Sequence, residues 1–285
     1  MAPAAQQSGG GPHRLRRVLS HLVPAPTAGS EGFVPLEEAA KLSGLRITLI
    51  PGVPGIYAEC LKNFLDCKGV PYARALHPLM GRGDNQAFLH QLTAQKSLPT
   101  MLYNDENPRN SWVEQVVLAD KLGKGPSLIP SDPEDRVLMF GLMNELLGED
   151  GIVWRKRLLF GQSAFTAKYG WSDSAATEAP AKIAESLRVF TEQLRKQQEA
   201  GSKYLIGNSL CALDIYFATC SYMLAPPGPD MLPRTKENKG LLMSFASNPP
   251  EVQAVLDSSP FLIEYRDRVL KTHCVIPADL GGTPL

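Results

Sequence analysis

The sequence lacks the features that define several classes of protein. Its 29 basic and 29 acidic side chains balance to a net charge of zero, whereas nucleic-acid-binding proteins usually carry a basic excess. No apolar run approaches the roughly 20 residues that a membrane-spanning helix requires. The five cysteines include no CxxC pair, so neither a zinc site nor a dithiol redox motif is predicted. We therefore expect no nucleic acid, no membrane and no metal among its partners.

The cysteines and the N-terminus bear on the cellular compartment. Five thiols are odd in number and widely spread, which fits reduced core residues and a cytoplasmic protein. No Asp or Glu precedes Glu31, while Arg14, Arg16 and Arg17 do. An acid-free segment that contains arginine is typical of organelle transit peptides. A disordered tail has the same composition, so both alternatives stay open for this end of the chain.

Residues 45–69 predict the unit around which the chain is organised. An extended, β-branched run ends in a turn rich in proline and glycine at 51–55, and a helical pattern begins near Ile56 or Tyr57. A second extended run, residues 70–76, follows the helix directly. The expected structure is a βαβ unit with parallel strands. Free N–H groups at the start of its helix would face the turn, where they can hold an anion.

A second cluster of signals lies between residues 97 and 122. Leu98 and Pro99 precede a short extended run that ends near Tyr103. The proline fits either a trans bond at the edge of a sheet or a cis bond that presents the backbone of Leu98. Asn110 or Ser111 is the natural N-cap of the next predicted helix, residues 111–122.

The Gly-, Pro- and Ser-rich stretch after residue 122 is the best candidate for a domain boundary. Beyond it the pattern is helical, with apolar stripes in residues 182–200, 210–223 and 261–270. The predicted organisation is a disordered or targeting extension (1–44), an α/β domain (45–124), a linker (125–133), an all-helical domain (134–275) and a loose tail (276–285).

This order of signals resembles the glutathione transferase family over about residues 45–270. Four local matches carry the resemblance: Pro54-Gly55-Ile56-Tyr57-Ala58 leading to Lys68-Gly69-Val70-Pro71-Tyr72, Leu98-Pro99-Thr100-Met101-Leu102, Asn110-Ser111, and Tyr204-Leu205-Ile206-Gly207-Asn208 leading to Leu213-Asp214-Ile215-Tyr216. Each match is weak alone, but their order and spacing are specific. The resemblance implies a thioredoxin-like α/β N-terminal domain followed by an all-α helical C-terminal domain, in a divergent member of the family.

The resemblance also implies a glutathione site. The hydroxyl and N–H of Ser111 would hold the γ-glutamyl carboxylate, with Asn110 in place of the family's Glu or Gln and Arg109 adding charge. Leu98, held by Pro99, would offer its backbone to the cysteinyl unit. Glutathione would then be the co-substrate, without a metal. The alternative is that Asn110 and Ser111 only cap a helix.

At the residue that would activate the glutathione thiol, the sequence departs from the family's pattern. Residues 53–58 contain no Ser, Thr or Cys, and Tyr57 carries their only hydroxyl. Lowering a thiol pKa by about two units takes about 2.7 kcal/mol, whereas a helix N-terminus contributes at most about 2 kcal/mol. A further donor is therefore expected. Tyr57 is the catalytic candidate, and aromatic packing of the first turn is the alternative.

The predicted function follows from the resemblance. We expect a glutathione transferase that conjugates the glutathione thiolate to a small hydrophobic electrophile, as in detoxification, and the resemblance implies a homodimer. The missing Ser or Cys favours a different class, a non-catalytic glutathione-transferase-like module for binding or assembly.

Overall fold

The computed structural model describes residues 32–78 and 86–285. Its strands are β1 (Phe33–Val34), β2 (Leu45–Leu49), β3 (Tyr72–Leu76) and β4 (Met101–Tyr103). The helices among and just after them are α1 (Leu36–Ala39), α2 (Ile56–Cys67), α3 (Gln86–Thr93) and α4 (Trp112–Leu122). The rest of the chain forms α5 (Pro133–Leu147), α6 (Ile152–Leu158), α7 (Ala164–Ala167), α8 (Asp173–Glu199), α9 (Ala212–Cys220), a 3-10 turn (Ser221–Met223), α10 (Lys239–Ala246), α11 (Pro250–Ser258) and α12 (Phe261–His273).

The strands form one mixed sheet in the order β1-β3-β2-β4. β2 runs parallel to β3 and antiparallel to β4, so that Leu45 is paired with both Tyr72 and Tyr103. The β2–α2–β3 unit confirms the parallel pair predicted from the sequence. Gly69, with φ of +61°, ends α2 in the left-handed region that favours glycine.

Helix α2 lies between the sheet and the helical half of the chain. Its side chains Asn63 and Cys60 face α9, where Asn63 Nδ2 donates to Thr219 Oγ1 at 2.9 Å. The Sγ atoms of Cys60 and Cys220 lie 3.6 Å apart as free, buried thiols. The two halves therefore share one core. The packing of α2 against α9 also fixes the position of the first turn of α2.

Helix α9 is held at its N-terminus by a buried aspartate. Asp214 accepts hydrogen bonds from the N–H of Cys211 at 2.7 Å, the N–H of Leu205 at 2.8 Å and the hydroxyl of Tyr265. A thiol at Cys211 caps a helix poorly, so the sequence leaves this role to Asp214 or Ser209. The structure gives it to Asp214.

Helix α8 begins earlier than the sequence indicated. The predicted helix starts at residue 182, whereas α8 starts at Asp173 and carries Pro180 in its interior. Proline normally ends or kinks a helix because it lacks an N–H and crowds the preceding turn. Here Ser172 caps the helix through its side chain at 3.1 Å from the Ala175 nitrogen, and the chain stays helical across Pro180.

Residues 32–44 and 276–285 are more ordered than the sequence predicted. The expected extension reached residue 44, but Phe33 and Val34 form β1, which pairs with β3 because that edge of the sheet is otherwise open. The expected transit peptide or disordered tail falls mainly on residues 1–31, which lie outside the described part of the chain.

The C-terminal segment 276–285 is docked, which corrects the prediction of a loose tail. Leu280 accepts a hydrogen bond from the N–H of Gly52 at 2.7 Å, and Asp279 pairs with Arg74 at 2.6 Å. Gly282 lies so close to the Gly52 backbone that a Cβ on it would sit 2.2 Å from the Gly52 Cα. The tail therefore holds the turn between β2 and α2 in place.

Exchanging Asp279 for asparagine should weaken this docking in a pH-dependent way. Arg74 holds the pKa of Asp279 below its usual range, so the ion pair stabilises the fold above the unfolded pKa of about 3.9 and is lost as pH falls through the folded value. Because the Asp279 side chain is 49% exposed, we expect Asp279→Asn to lower the free energy of unfolding at pH 7 by only about 0.5–1 kcal/mol.

Urea unfolding near pH 7 and again below the folded pKa of Asp279, which is the lower of its two values, checks this expectation. The difference between the wild type and Asp279→Asn should disappear in acid. Asp105→Asn, at an exposed position in the turn after β4, is the matched control. An equal loss of stability at both pH values would argue that the contact does not depend on charge.

Candidate functional site

The N-terminus of α2 presents backbone N–H groups without partners. No side chain caps this helix, and its first intrahelical bond runs from the Glu59 N–H to the Gly55 oxygen at 2.8 Å. In residues 32–78 and 86–285, the N–H groups of Ile56, Tyr57 and Ala58 therefore have no hydrogen-bond acceptor. Together with the partial positive charge of a helix N-terminus, they can stabilise an anion.

Leu98 lies directly beside this helix start. A Cβ on Gly55 would be 2.9 Å from Leu98 Cδ1, and the Leu98–Pro99 bond is cis. The segment is tied to β2, because the N–H of Thr100 donates to Thr48 Oγ1 at 2.8 Å and the N–H of Thr48 donates to the Thr100 oxygen at 3.0 Å. No described residue hydrogen-bonds to the N–H or C=O of Leu98. The structure thus brings two predicted parts of the site together.

The first turn of α4 already holds a carboxylate, which belongs to the protein itself. Glu114 Oε2 accepts from the Ser111 hydroxyl at 2.8 Å and from the Ser111 N–H at 3.2 Å. In return, the Glu114 N–H donates to Ser111 Oγ at 3.3 Å. The hydrogen bond from Ser111 lowers the pKa of Glu114, which keeps the side chain ionised. Both donors expected to bind a ligand carboxylate are therefore engaged by Glu114 in a capping box.

The other two predicted γ-glutamyl partners are also engaged within the protein. Asn110 Nδ2 donates to the Thr93 oxygen at 2.6 Å, which connects α4 to the end of α3. Arg109 pairs with Glu106 at 2.5 Å. The helix-capping alternative thus describes Ser111, whereas Asn110 contacts the end of α3 and does not cap α4.

Gln115 is a site residue that the sequence reasoning missed. It is 2% exposed, and its Nε2 donates to the Pro99 oxygen at 2.9 Å and to the Arg109 oxygen at 3.0 Å. One amide thereby fixes the segment around Pro99 against the start of α4. A polar residue on the inner face of a predicted helix was the only signal for it in the sequence.

Tyr57 faces the helical half of the chain rather than serving as a free donor. Its hydroxyl donates to the Leu147 oxygen at 2.6 Å, and the Arg157 guanidinium carbon lies 4.7 Å from the centre of its ring. Burial raises the pKa of Tyr57 to about 12, an effect that the charge of Arg157 partly offsets. Since a phenol has one proton to donate, this hydroxyl is already used. The structure favours the packing alternative over the predicted catalytic role.

Tyr57→Phe is expected to change stability more than chemistry. Loss of the bond to Leu147 should cost about 1 kcal/mol in the free energy of unfolding. The conjugation rate at saturating glutathione should fall less than about threefold, because the hydroxyl does not reach the thiolate. Tyr103→Phe, which removes a hydroxyl from β4, is the control. A loss of more than about tenfold in rate with unchanged glutathione binding would restore Tyr57 as the donor.

Two clefts in the described part of the chain lie away from this site. One, of about 710 Å³, lies between the segment after the 3-10 turn and helices α10 to α12, where Ala225, Asn248 and Asp257 line it. A second, of about 360 Å³, lies among α5, α6 and α8. Neither includes a residue of the predicted glutathione site.

The described residues contain neither a metal-binding cluster nor a membrane-spanning helix. No group of three or more His, Cys, Asp or Glu side chains is arranged to hold a metal ion. No helix in the same part of the chain is both long enough and apolar enough to cross a membrane.

Comparison with known proteins identifies the fold. No protein-family model matches the sequence, and no curated protein matches it. A glutathione S-transferase from Methylobacterium radiotolerans, solved with glutathione sulfonate, is 15% identical with a TM-score of 0.59, over 85% of this chain and 97% of that one. A glutathione S-transferase from Methylobacillus flagellatus with glutathione bound is 13% identical with a TM-score of 0.58, over 85% and 100%.

A third solved structure, glutathione transferase Omega 3C from Trametes versicolor, is 16% identical with a TM-score of 0.52, over 84% of this chain and 93% of that one. Identities this low establish the fold alone. The thioredoxin-like N-terminal half followed by a helical half, predicted from the sequence, is confirmed as a glutathione-transferase-like fold in a divergent sequence.

Proposed function

We propose that this protein binds glutathione in the crevice between the start of α2 and Leu98, and that it transfers the glutathione thiolate to a small hydrophobic electrophile. One observation carries the proposal: unpaired N–H groups of α2 and an unpaired backbone at Leu98 lie side by side. Solved proteins of the same fold contain glutathione or its sulfonate, which supports the same ligand here.

Each part of glutathione has a partner of suitable chemistry. The cysteinyl amide would pair with the N–H and C=O of Leu98, and the sulfur would then lie at the start of α2. The γ-glutamyl carboxylate would take the place of the Glu114 carboxylate on Ser111. Binding therefore includes an exchange of one carboxylate for another at the start of α4.

Thiolate formation would rest on the helix rather than on a side-chain hydroxyl. A sheltered helix N-terminus contributes at most about 2 kcal/mol, which corresponds to about 1.5 units of thiol pKa. A thiol that starts near pKa 8.5 would reach about 7 and become about half ionised at neutral pH. In conjugation, the sulfur forms a bond to the electrophilic carbon and the leaving group departs with its electron pair.

A non-catalytic role in binding or assembly is the second candidate. Two observations favour it, namely the hydrogen bond of Tyr57 to Leu147 and the occupation of Ser111 by Glu114. Either function requires glutathione to bind, so the two differ only in the chemistry that follows.

Retention on immobilised glutathione, followed by turnover of chlorodinitrobenzene, separates these functions. Retention with turnover supports the transferase. Retention without turnover supports the binding module. A chain that neither stays on the resin nor binds free glutathione contradicts both proposals. Ultraviolet absorbance of bound glutathione during a pH titration would report the thiol pKa, which should lie near 7.

A further inference from the structure

A buried arginine lies next to the proposed thiolate site and has no counter-ion within residues 32–78 and 86–285. We call Arg157, Lys168, Tyr57 and Tyr169 the Arg157 cluster. The guanidinium carbon of Arg157 is 4.7 Å from the ring centre of Tyr57 and 4.6 Å from that of Tyr169. The cation therefore contacts the faces of two aromatic rings, an arrangement that favours a positive charge.

The hydrogen-bonding capacity of this cluster is incompletely used. Arg157 is 9% exposed, and its Nη1 atom is buried without an acceptor. This donor loses water on folding and gains no replacement among the described residues, so an acceptor from a ligand would complete it.

The cluster also carries uncompensated positive charge. Among the ion pairs between described residues, none includes Arg157 or Lys168. Lys168 is exposed and lies 5.8 Å from the Tyr169 ring centre; partial desolvation and the neighbouring charge of Arg157 lower its pKa. Arg157 itself is buried, and a buried cation without an opposite charge is costly. An anion is the ligand that would offset this cost.

Aromatic rings beside these cations provide an apolar surface. Phe165 is 46% exposed and packs against Tyr169 with ring centres 5.1 Å apart. Tyr57 is the second residue of α2, and its own N–H is one of those proposed to hold sulfur. Its ring contacts Arg157, so the Tyr57 side chain connects the arginine to the start of α2. An occupant that is flat, aromatic and anionic would match both the rings and the charge, and it would lie within reach of the thiolate.

We propose that the Arg157 cluster binds the anionic group of an aromatic co-substrate, an aryl carboxylate or sulfonate, and directs its reactive carbon toward the glutathione sulfur. The part of this proposal that concerns turnover rests on the proposed function. For an aryl chloride, the thiolate sulfur bonds to the ring carbon, the carbon–chlorine bond breaks, and chloride leaves with the electron pair. The thiol proton is released to water.

Direct binding tests the site without glutathione. Anilinonaphthalene sulfonate would be titrated by fluorescence into the wild type, Lys168→Gln and Lys271→Gln. Lys168→Gln should weaken binding about fivefold, and Lys271→Gln, an equal charge change on exposed α12, should leave binding unchanged. Arg157→Gln should weaken sulfonate binding further. If Arg157→Gln does not fold, Lys168→Gln still tests the site, because Lys168 is exposed.

Turnover then tests the position of the site. The ratio of kcat/KM for chlorodinitrobenzoate to that for neutral chlorodinitrobenzene should fall about fivefold in Lys168→Gln. Equal sulfonate binding by the wild type and Lys168→Gln would overturn the inference and leave glutathione binding untouched. Weaker sulfonate binding without any conjugation would support the anion site and contradict the transferase function. A fall in turnover of both substrates alike would overturn the specificity claim.

Discussion

Replacing Glu114 with glutamine is expected to tighten glutathione binding about tenfold. The Glu114 carboxylate occupies both donors of Ser111 at 2.8 and 3.2 Å, where the γ-glutamyl carboxylate of glutathione is proposed to bind. Two carboxylates about 4 Å apart near a protein surface repel each other by about 1–4 kcal/mol. Glutamine keeps an oxygen for the capping box and removes the charge, so the free energy of glutathione binding should become about 1.4 kcal/mol more favourable.

Calorimetric titration of glutathione into the wild type and Glu114→Gln measures this change. Glu251→Gln removes an exposed carboxylate from the first turn of α11 and serves as the matched control. A glutathione analogue with aminobutyrate in place of the γ-glutamyl unit lacks the competing carboxylate, so its affinity should not respond to the substitution. Equal affinity of both proteins for glutathione would show that the ligand carboxylate binds elsewhere.

Replacing Asp214 with alanine is expected to produce the largest loss of stability, about 3–5 kcal/mol. Its carboxylate is fully buried and accepts hydrogen bonds from Leu205, Cys211 and Tyr265. Alanine would leave all three donors buried without an acceptor, at about 1–3 kcal/mol each before relaxation. That total is a large fraction of the 5–15 kcal/mol typical of a folded domain.

Urea unfolding followed by circular dichroism measures the loss. Asp214→Asn retains one acceptor oxygen and should lose about half as much stability, while Asp257→Ala on the exposed side of α11 should change it by less than about 0.5 kcal/mol. Because α9 packs on α2, glutathione binding should weaken in the aspartate variants near their unfolding midpoint. A loss below about 1 kcal/mol for Asp214→Ala would mean that Asp214 does not hold the start of α9.

The unit that carries the site was predictable because its signals are local. Pro51, Gly52 and Gly55 separate a strand from a helix, and Gly69 ends that helix with a positive φ. Such breakers act within a few residues, so a single sequence is enough to place them. The capping box of Ser111 and Glu114 was readable for the same reason, since a Ser followed three residues later by Glu is its signature. The resemblance instead implied that Ser111 binds a ligand, so this signature did not enter the predicted site.

The remaining parts of the site depend on contacts between distant residues. Tyr57 donates to Leu147, 90 positions away, and no periodicity near Tyr57 indicates that partner. Gly282 rests on Gly52, a close approach between two glycines that no local pattern in the sequence indicates. The contact between Arg157 in α6 and Tyr57 in α2 likewise joins residues that are far apart in the sequence. The local sequence therefore predicts which polar groups could bind a ligand, whereas packing between distant residues decides which of those groups have no hydrogen-bond partner within the protein.

The structure of the full chain with glutathione bound tests the central claim most directly. The account predicts the sulfur within about 3.5 Å of an N–H in the first turn of α2, the cysteinyl unit paired with the backbone of Leu98, and the Glu114 side chain displaced from Ser111. Glutathione located in the cleft lined by Ala225 and Asn248, or bound with its sulfur remote from α2, would contradict it.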